Sequence, residues 1–234
     1  MKLSVIIPAY NEAAVIEATL QEVDLFCQQN FTNDYEIIVV DDGSKDLTAE
    51  IVNSQAKIRL IKQDINLGKG AAVKVGMLAA RGELLLMMDA DNSTRIIELP
   101  TFISALATAD IAIGSRAVKG AKIKLSQSAW KVAFGRAGNV FIRWWLKLNI
   151  ADTQCGFKLY RRKAVDLFRQ SREKGYAFDF EILYLAQKVN MTIQELPIVW
   201  TNMPDSKVRL RFYLSTILGV FRVQYNYYRG NYHL

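Results

Sequence analysis

The chain alternates between two kinds of segment. Short aliphatic runs (LSVII at 3–7, EIIVV at 36–40, IRLI at 58–61, ELLLMM at 83–88 and IAI at 111–113) are separated by stretches whose apolar residues repeat with a helical period. In 13–26, for instance, Val15, Ile16, Leu20, Val23 and Phe26 fall near one helix face. Strands that are apolar on both faces must be covered on both faces. That condition is met by a mostly parallel sheet with helices above and below it. The expected class is therefore α/β. With 234 residues, 51% of them hydrophobic and 23% charged, the chain can bury one sizeable core. It has no internal repeat or low-complexity stretch and only four prolines, so no flexible linker is expected.

In parallel sheets, ligands collect beyond the carboxyl ends of the strands. Those ends are unusually polar here. LSVII runs into PAYNE, EIIVV into DDGS, ELLLMM into DAD, and IAI into GSR. One such end is an ordinary turn. Four on the same sheet edge, three of them acidic, point to a site.

Several chemistries are excluded by what the chain lacks. Its two cysteines, Cys27 and Cys155, are too few for a disulfide framework or a cysteine zinc site, and they suit a reducing compartment. Cys155 reads as a packed small residue. The single histidine, His233, lies next to the C-terminus, so histidine acid/base chemistry and His-rich metal sites are not expected. MKLSVIIPAYNE reads as a first strand, not a signal peptide. No run of about 18 apolar residues marks a simple transmembrane helix. The net charge of +7 suggests an anionic partner: nucleic acid, anionic lipid or a phosphorylated substrate.

The second half carries basic, aromatic helices. Over 127–148, Arg136, Arg143 and Lys147 share a stripe beside Phe134, Phe141, Trp144, Trp145 and Leu148. Over 208–229, Arg211, Arg222 and Arg229 are spaced by nearly whole turns, opposite Leu210, Leu214, Ile217, Leu218, Phe221 and Tyr225. Two readings stay open for them: elements lying in a membrane interface, or core-packing helices with a solvated basic face.

The pair Asp89 and Asp91 repel each other unless a cation lies with them. Hard oxygen donors in this number suit Mg²⁺ or Mn²⁺, which take their remaining ligands from water and substrate phosphate. A departing diphosphate needs such a counter-charge. LGKG at 67–70 opens a helix, so its backbone amides, with Lys69, can hold phosphate. The spacing is not that of a Walker A loop.

PAYNE, VVDDGS, NLGKG, DAD and GSR, in this order, resemble an inverting glycosyltransferase of family 2 with the GT-A fold. DTQCGFKLY at 152–160, YAFDFEILYLAQ at 176–187 and IVWTNMPDSKV at 198–208 resemble the dolichyl-phosphate β-glucosyltransferases and their polyprenyl-phosphate relatives. Together the matches span nearly the whole chain. The resemblance implies that Pro8, Tyr10, Glu12 and Asp42 hold the nucleoside, with Asp41 close by. It implies that Asp89 and Asp91 take Mg²⁺ or Mn²⁺ and the diphosphate, with Lys69, Ala90 and Ser93 on the nucleotide-sugar side. Arg116, Lys131 and Arg136 would receive a lipid phosphate, with Lys207 near the phosphates. Asp179 and Glu181 are candidates for sugar-hydroxyl contacts, or for a base if the acceptor is a hydroxyl; their alternative reading is an acid pair favoured by a helix N-terminus.

The implied arrangement is a GT-A domain over 1–207, with an acceptor helix near 127–148, and a C-terminal amphipathic membrane-associated helix over 208–234. The implied reaction moves glucose from UDP-glucose to a polyprenyl phosphate with inversion. The alternatives are transfer of mannose from GDP-mannose, or a different acceptor. Lys131 and Gly135 stand where mannose synthases commonly carry Arg and Ser, and no Arg lies between Trp200 and Ser206. Both departures weigh against mannose. A lipid monophosphate arrives already nucleophilic, since its second ionisation lies near pH 6, and so needs cationic positioning more than a base. A non-catalytic nucleic-acid-binding module is the competing class, but the basic residues lie with wide apolar helices and match no nucleic-acid motif. The expectation is a peripheral protein on the cytoplasmic face of a membrane, with no nucleic-acid partner; oligomeric state is left open.

Overall fold

The computed structural model describes residues 1–124, 129–202 and 210–234, with the side chains of 129–134 and 210–214 outside the description. The chain runs β1 (Leu3–Ala9), α1 (Ile16–Phe31), β2 (Tyr35–Asp41), α2 (Thr48–Asn53), β3 (Ile58–Lys62), α3 (Lys69–Ala79), β4 (Leu84–Met88), α4 (Leu99–Ala105), β5 (Ile111–Ser115) and β6 (Lys122–Lys124). It continues with α5 (Ala129–Leu146), β7 (Phe157–Arg161), α6 (Val165–Gln170), α7 (Phe178–Lys188), β8 (Ile193–Pro197), β9 (Val199–Thr201) and α8 (Leu210–Tyr228).

The central sheet has seven strands in the order β3-β2-β1-β4-β7-β5-β8. The five aliphatic runs are β1 to β5, and their first four members pair in parallel. β7 inserts antiparallel between β4 and β5. Two reversals restore direction, so β5 runs the same way as β4 and its exit reaches the same sheet edge. The start of β7 reaches that edge as well, since Phe157 pairs with Met88. The mostly parallel α/β sheet is thus present, with one antiparallel strand that its sequence did not announce.

Alternating residues of the strands feed two cores. On one face Ile6, Val40, Leu85 and Met87 pack with Val73 and Met77 of α3, Ile142 and Leu146 of α5, α7, and Val220 and Val223 of α8. On the other, Val5, Ile7, Val39 and Met88 pack with Leu20 and Val23 of α1 and Phe102 of α4. β1 is buried along its whole length. Burial of this extent is the main favourable term for folding, and it leaves the strand exits on a rigid base.

Each of the two basic helices leaves part of its apolar face uncovered. In α8 the inward residues are Thr216, Val220 and Val223, while Leu218, Phe221, Tyr225 and Tyr228 are exposed. In α5, Ile142 and Leu146 are buried and Trp144 is 72% exposed. Phe221 stacks edge-on against Trp145, at 4.8 Å between ring centroids, so the helices are joined beneath a shared aromatic surface. Among the described residues, no helix is long and apolar enough to cross a membrane.

Candidate active site

The turn that leaves β4 is fastened on three sides. The Asp89 amide donates to the Gly156 carbonyl (3.0 Å), and Thr201 of β9 donates its amide to the Ser93 carbonyl (2.8 Å). Thr19 of α1 donates its hydroxyl to the Ala90 carbonyl (2.8 Å). Asn92 takes a left-handed φ of 54°, and its amide donates to Glu22 (2.9 Å). The Ser93 amide donates to Asp91 (3.0 Å). Ala90 and Ser93 are thereby buried parts of the turn.

Asp89 and Asp91 differ in their surroundings. The Lys69 ammonium, at the first residue of α3, lies 2.6 Å from Asp89. Burial would lower the Lys69 pKa, but Asp89, and beyond it Asp179, raise it above the ordinary lysine value. Burial raises the Asp91 pKa, and the Asp89 charge adds to this; the Ser93 amide and Lys69 offset it only in part. The turn carries two carboxylates with one ammonium, Lys69, beside them. Two hard carboxylates on a fixed turn fit a divalent cation. Among the described residues no group of three or more His, Cys, Asp or Glu side chains could hold a metal. Water and substrate oxygens would complete the shell, as is usual for Mg²⁺.

Gly156 allows this arrangement. A Cβ there would overlap the Asp89 carboxylate and push it from its present place, so glycine lets the DTQCGFK segment lie against the acidic turn with that carboxylate where it stands. Gly68 has a similar duty before Lys69: its φ is 106°, and a Cβ would meet the Lys174 carbonyl at 2.5 Å.

The exits of β1 and β2 are tied together. The Asn11 amide donates to Ser44 (2.9 Å) and the Glu12 amide to Thr48 (2.8 Å). Pro8 is buried within β1, while Tyr10 and Glu12 are half-buried beyond it. Asp42 accepts the amides of Leu67 (2.8 Å) and Gly68 (2.9 Å), which joins DDGS to the loop before Lys69. Burial raises its pKa, against the pull of those amides. Asp41 accepts the Ser44 amide (3.2 Å), and its other oxygen is buried with no partner. Both acids are buried, and Asp42 is the one that ties the two loops together.

Arg116 leaves β5 into a fork with Asp152, through Nε (2.7 Å), a terminal nitrogen (2.9 Å) and its own amide (3.0 Å). Its guanidinium lies 5.5 Å from the centre of the Trp200 ring. Burial would lower the Arg116 pKa, but Asp152 raises it, with a smaller contribution from Asp89. Burial would raise the Asp152 pKa, but Arg116 holds it below the usual carboxylate value. This group and the acidic turn share one sheet edge.

Asp179, at the start of α7, is 2% exposed and ion-paired with the fully buried Lys158 of β7. Burial still raises its pKa, against Lys158 and Lys69. Glu181 lies elsewhere: it accepts the Arg172 amide (2.9 Å), the Glu173 amide (3.0 Å) and the Tyr232 hydroxyl (2.7 Å). Its carboxylate anchors the 171–173 segment and the C-terminal tail, which corrects its reading as a sugar contact. Arg136 is exposed on α5. Lys131 belongs to α5 by its backbone, but its side chain, like the whole of Lys207, lies outside the described residues.

Sequence reasoning passed over Asp152, Gly156, Lys158 and Tyr176. The first three sit inside DTQCGFK, which was noticed only as a motif. Tyr176 neighbours Lys69, whose ammonium is 6.0 Å from the centre of its ring. Beyond it, a cleft of about 410 Å³ runs between the 172–177 segment and α8.

Residues 4–168 match glycosyl transferase family 2. A dolichyl-phosphate beta-glucosyltransferase from Trichomonas vaginalis is 38% identical, across 93% of this chain and 69% of its own length. The corresponding protein of Dictyostelium discoideum is 36% identical, across 95% and 77%. Among solved structures, mannosyl-3-phosphoglycerate synthase from Rubrobacter xylanophilus superposes with a TM-score of 0.72 at 20% identity, across 100% of this chain and 76% of its own. Glucosyl-3-phosphoglycerate synthase from Mycobacterium tuberculosis, crystallised with Mn²⁺, UDP and glucosyl-3-phosphoglycerate, gives 0.70 at 18% identity, across 95% and 79%. The chain belongs to glycosyl transferase family 2, has a GT-A-like fold, and is a glycosyltransferase whose relatives are dolichyl-phosphate β-glucosyltransferases.

Proposed function

We propose that the protein transfers glucose from UDP-glucose to a polyprenyl phosphate, with inversion at the anomeric carbon and with Mg²⁺ or Mn²⁺. One observation carries the reading: an acidic turn with Lys69 beside it and a guanidinium fork, Arg116 on Asp152, occupy the same sheet edge. Asp89 and Asp91 would hold the metal; once bound, it supplies positive charge against the leaving diphosphate. Lys69 takes the diphosphate on its other side. Pro8, Tyr10, Glu12 and Asp41 line the place of the uridine. Asp42 holds the loop that presents Lys69.

Arg116, supported by Asp152, holds the acceptor phosphate, with Lys131, Arg136 and Lys207 as further cations of the acceptor side. The phosphate oxygen needs orientation and not deprotonation. The burial of Asp179 against Lys158 supports this, because the carboxylate already carries a fixed partner. Its part is to hold negative charge behind Lys69.

The acceptor is a lipid, and the exposed aromatic surface of α5 and α8 suits it. Trp144, Phe221, Tyr225 and Tyr228 stand beside Lys147 and Arg229, a combination that lies in the headgroup region of a bilayer. The 208–234 segment would thus dock the protein peripherally, on the cytoplasmic face where nucleotide sugars are found, with no nucleic acid involved.

The test offers UDP-glucose and GDP-mannose in turn, with one polyprenyl phosphate and Mg²⁺ or Mn²⁺. Glucosyl-phosphate lipid formed from UDP-glucose supports the reading. Preference for GDP-mannose, or release of UDP that ignores the lipid, overturns it.

A further inference from the structure

The segment 151–154, which carries the Asp152 partner of Arg116, is held from several elements at once. Glu195 of β8 accepts the amides of Ala151 (2.5 Å) and Asp152 (2.9 Å). Lys158 donates to the Thr153 carbonyl (3.2 Å). Three further groups, the Ala151 carbonyl and the Thr153 amide and hydroxyl, go to one side chain of α5. Asn139 donates its amide to the Ala151 carbonyl and accepts from both the Thr153 hydroxyl (2.7 Å) and the Thr153 amide (3.3 Å). An amide side chain suits this position because it both donates and accepts. Aspartate could not serve Ala151, nor could a lysine serve Thr153.

The consequence is mechanical. α5 lies beneath the exposed aromatic surface, and its residue Trp144 is one of that surface's members. Three residues on from Thr153, Gly156 accepts the Asp89 amide (3.0 Å). Asn139 therefore stands between the lipid-facing helix and the segment that presents both Asp152 and the support of Asp89. No other side-chain hydrogen bond joins the described residues of α5 to 151–154.

We infer that Asn139 is a positioning residue: it pins α5 to the 151–154 segment and so sets the Arg116–Asp152 fork for the acceptor phosphate. The inference rests on the acceptor role proposed for Arg116. Asn139 touches neither donor nor acceptor, and its bonds go to Ala151 and Thr153 on either side of Asp152 and not to Gly156, so its removal should be felt chiefly through the Arg116–Asp152 fork.

The experiment compares Asn139→Ala, Thr153→Val and Arg116→Ala in the full chain. Steady-state transfer is measured against polyprenyl phosphate, and UDP affinity by calorimetry. Asn139→Ala is expected to lower kcat/KM for polyprenyl phosphate about tenfold while UDP affinity stays within about twofold. Thr153→Val keeps the shape and removes one hydroxyl donor; it should shift the same parameter in the same direction by a smaller factor. Adding it to Asn139→Ala should cost little more, because the two share one contact. A merely structural residue would weaken UDP binding alongside lipid kinetics, and that result overturns the inference. So does unchanged lipid kinetics in Asn139→Ala while Arg116→Ala is impaired. If Asn139→Ala does not fold, Thr153→Val alone decides: unaltered lipid kinetics there overturns it. Unimpaired Arg116→Ala would instead remove the acceptor reading itself.

Discussion

The two groups proposed as the donor and acceptor sides of the site treat charge in opposite ways. At the β4 exit, Asp89 and Asp91 share a turn with one ammonium, and Asp91 is left with a raised pKa. At the β5 exit, Arg116 meets Asp152 in a complete fork whose two members stabilise each other's charge. In the proposed reading, the acidic pair takes a cation and a diphosphate. A compensated fork is already shaped, and it presents its remaining donors in one orientation. The chemistry enters where charge is unbalanced, and the geometry is stored where it is balanced.

The contrast can be broken by substitution. The largest effect is expected from Asp91→Ala: loss of the unbalanced acid should reduce kcat/KM for UDP-glucose about 10³-fold, with little change in melting temperature. Activity within about tenfold of wild type would show that the acidic turn is not the donor centre. Next comes the buried pair below the site. Lys158→Met leaves the Asp179 carboxylate buried without its cation and should cost about 3–5 kcal/mol in denaturant unfolding. Lys158→Met with Asp179→Leu should recover much of that loss; equal instability of both variants would argue against the pair as the cause.

On the acceptor side, Arg116→Lys keeps the charge and gives up the fork. Lipid-dependent transfer should drop about 10–100-fold while UDP affinity is retained, as titration of UDP into the variant would show. The smallest effect is expected at the surface. Trp144→Ser with Tyr228→Ser should lower binding to anionic liposomes about 3–10-fold, read by co-sedimentation. Turnover with a short, water-soluble polyprenyl phosphate should be unaffected.

Most of the donor side was legible in the sequence, and the reason is local. β1, β2, β4 and β5 are aliphatic runs that end in polar residues, and a parallel sheet necessarily brings such ends together. The rest depended on contacts far apart in the chain. FKLYR of β7 has Lys158 as its second residue, and nothing local marks that lysine as buried; its counter-charge is Asp179, on another element. DDGS did not announce that Asp42 would also accept the amides of Leu67 and Gly68, 25 and 26 residues further on. Periodicity identified α8 and grouped Leu218, Phe221 and Tyr225 on one face, but it left open whether that face is packed or exposed; these three residues are exposed. Apolarity marks a face to be covered without saying whether protein or lipid covers it. Asn139 gave no signal at all, since a lone Asn on a helix shows nothing of the loop it will meet.

The division of labour between the two sides is tested most directly by UDP release from UDP-glucose, measured with and without polyprenyl phosphate, and with the divalent ion present or chelated. The account predicts rapid release only when lipid phosphate and metal are both present. It also predicts that Asp91→Ala abolishes this release, while Arg116→Ala removes the lipid dependence and spares UDP binding. Equal release with and without the lipid phosphate, or full activity under chelation, would contradict it.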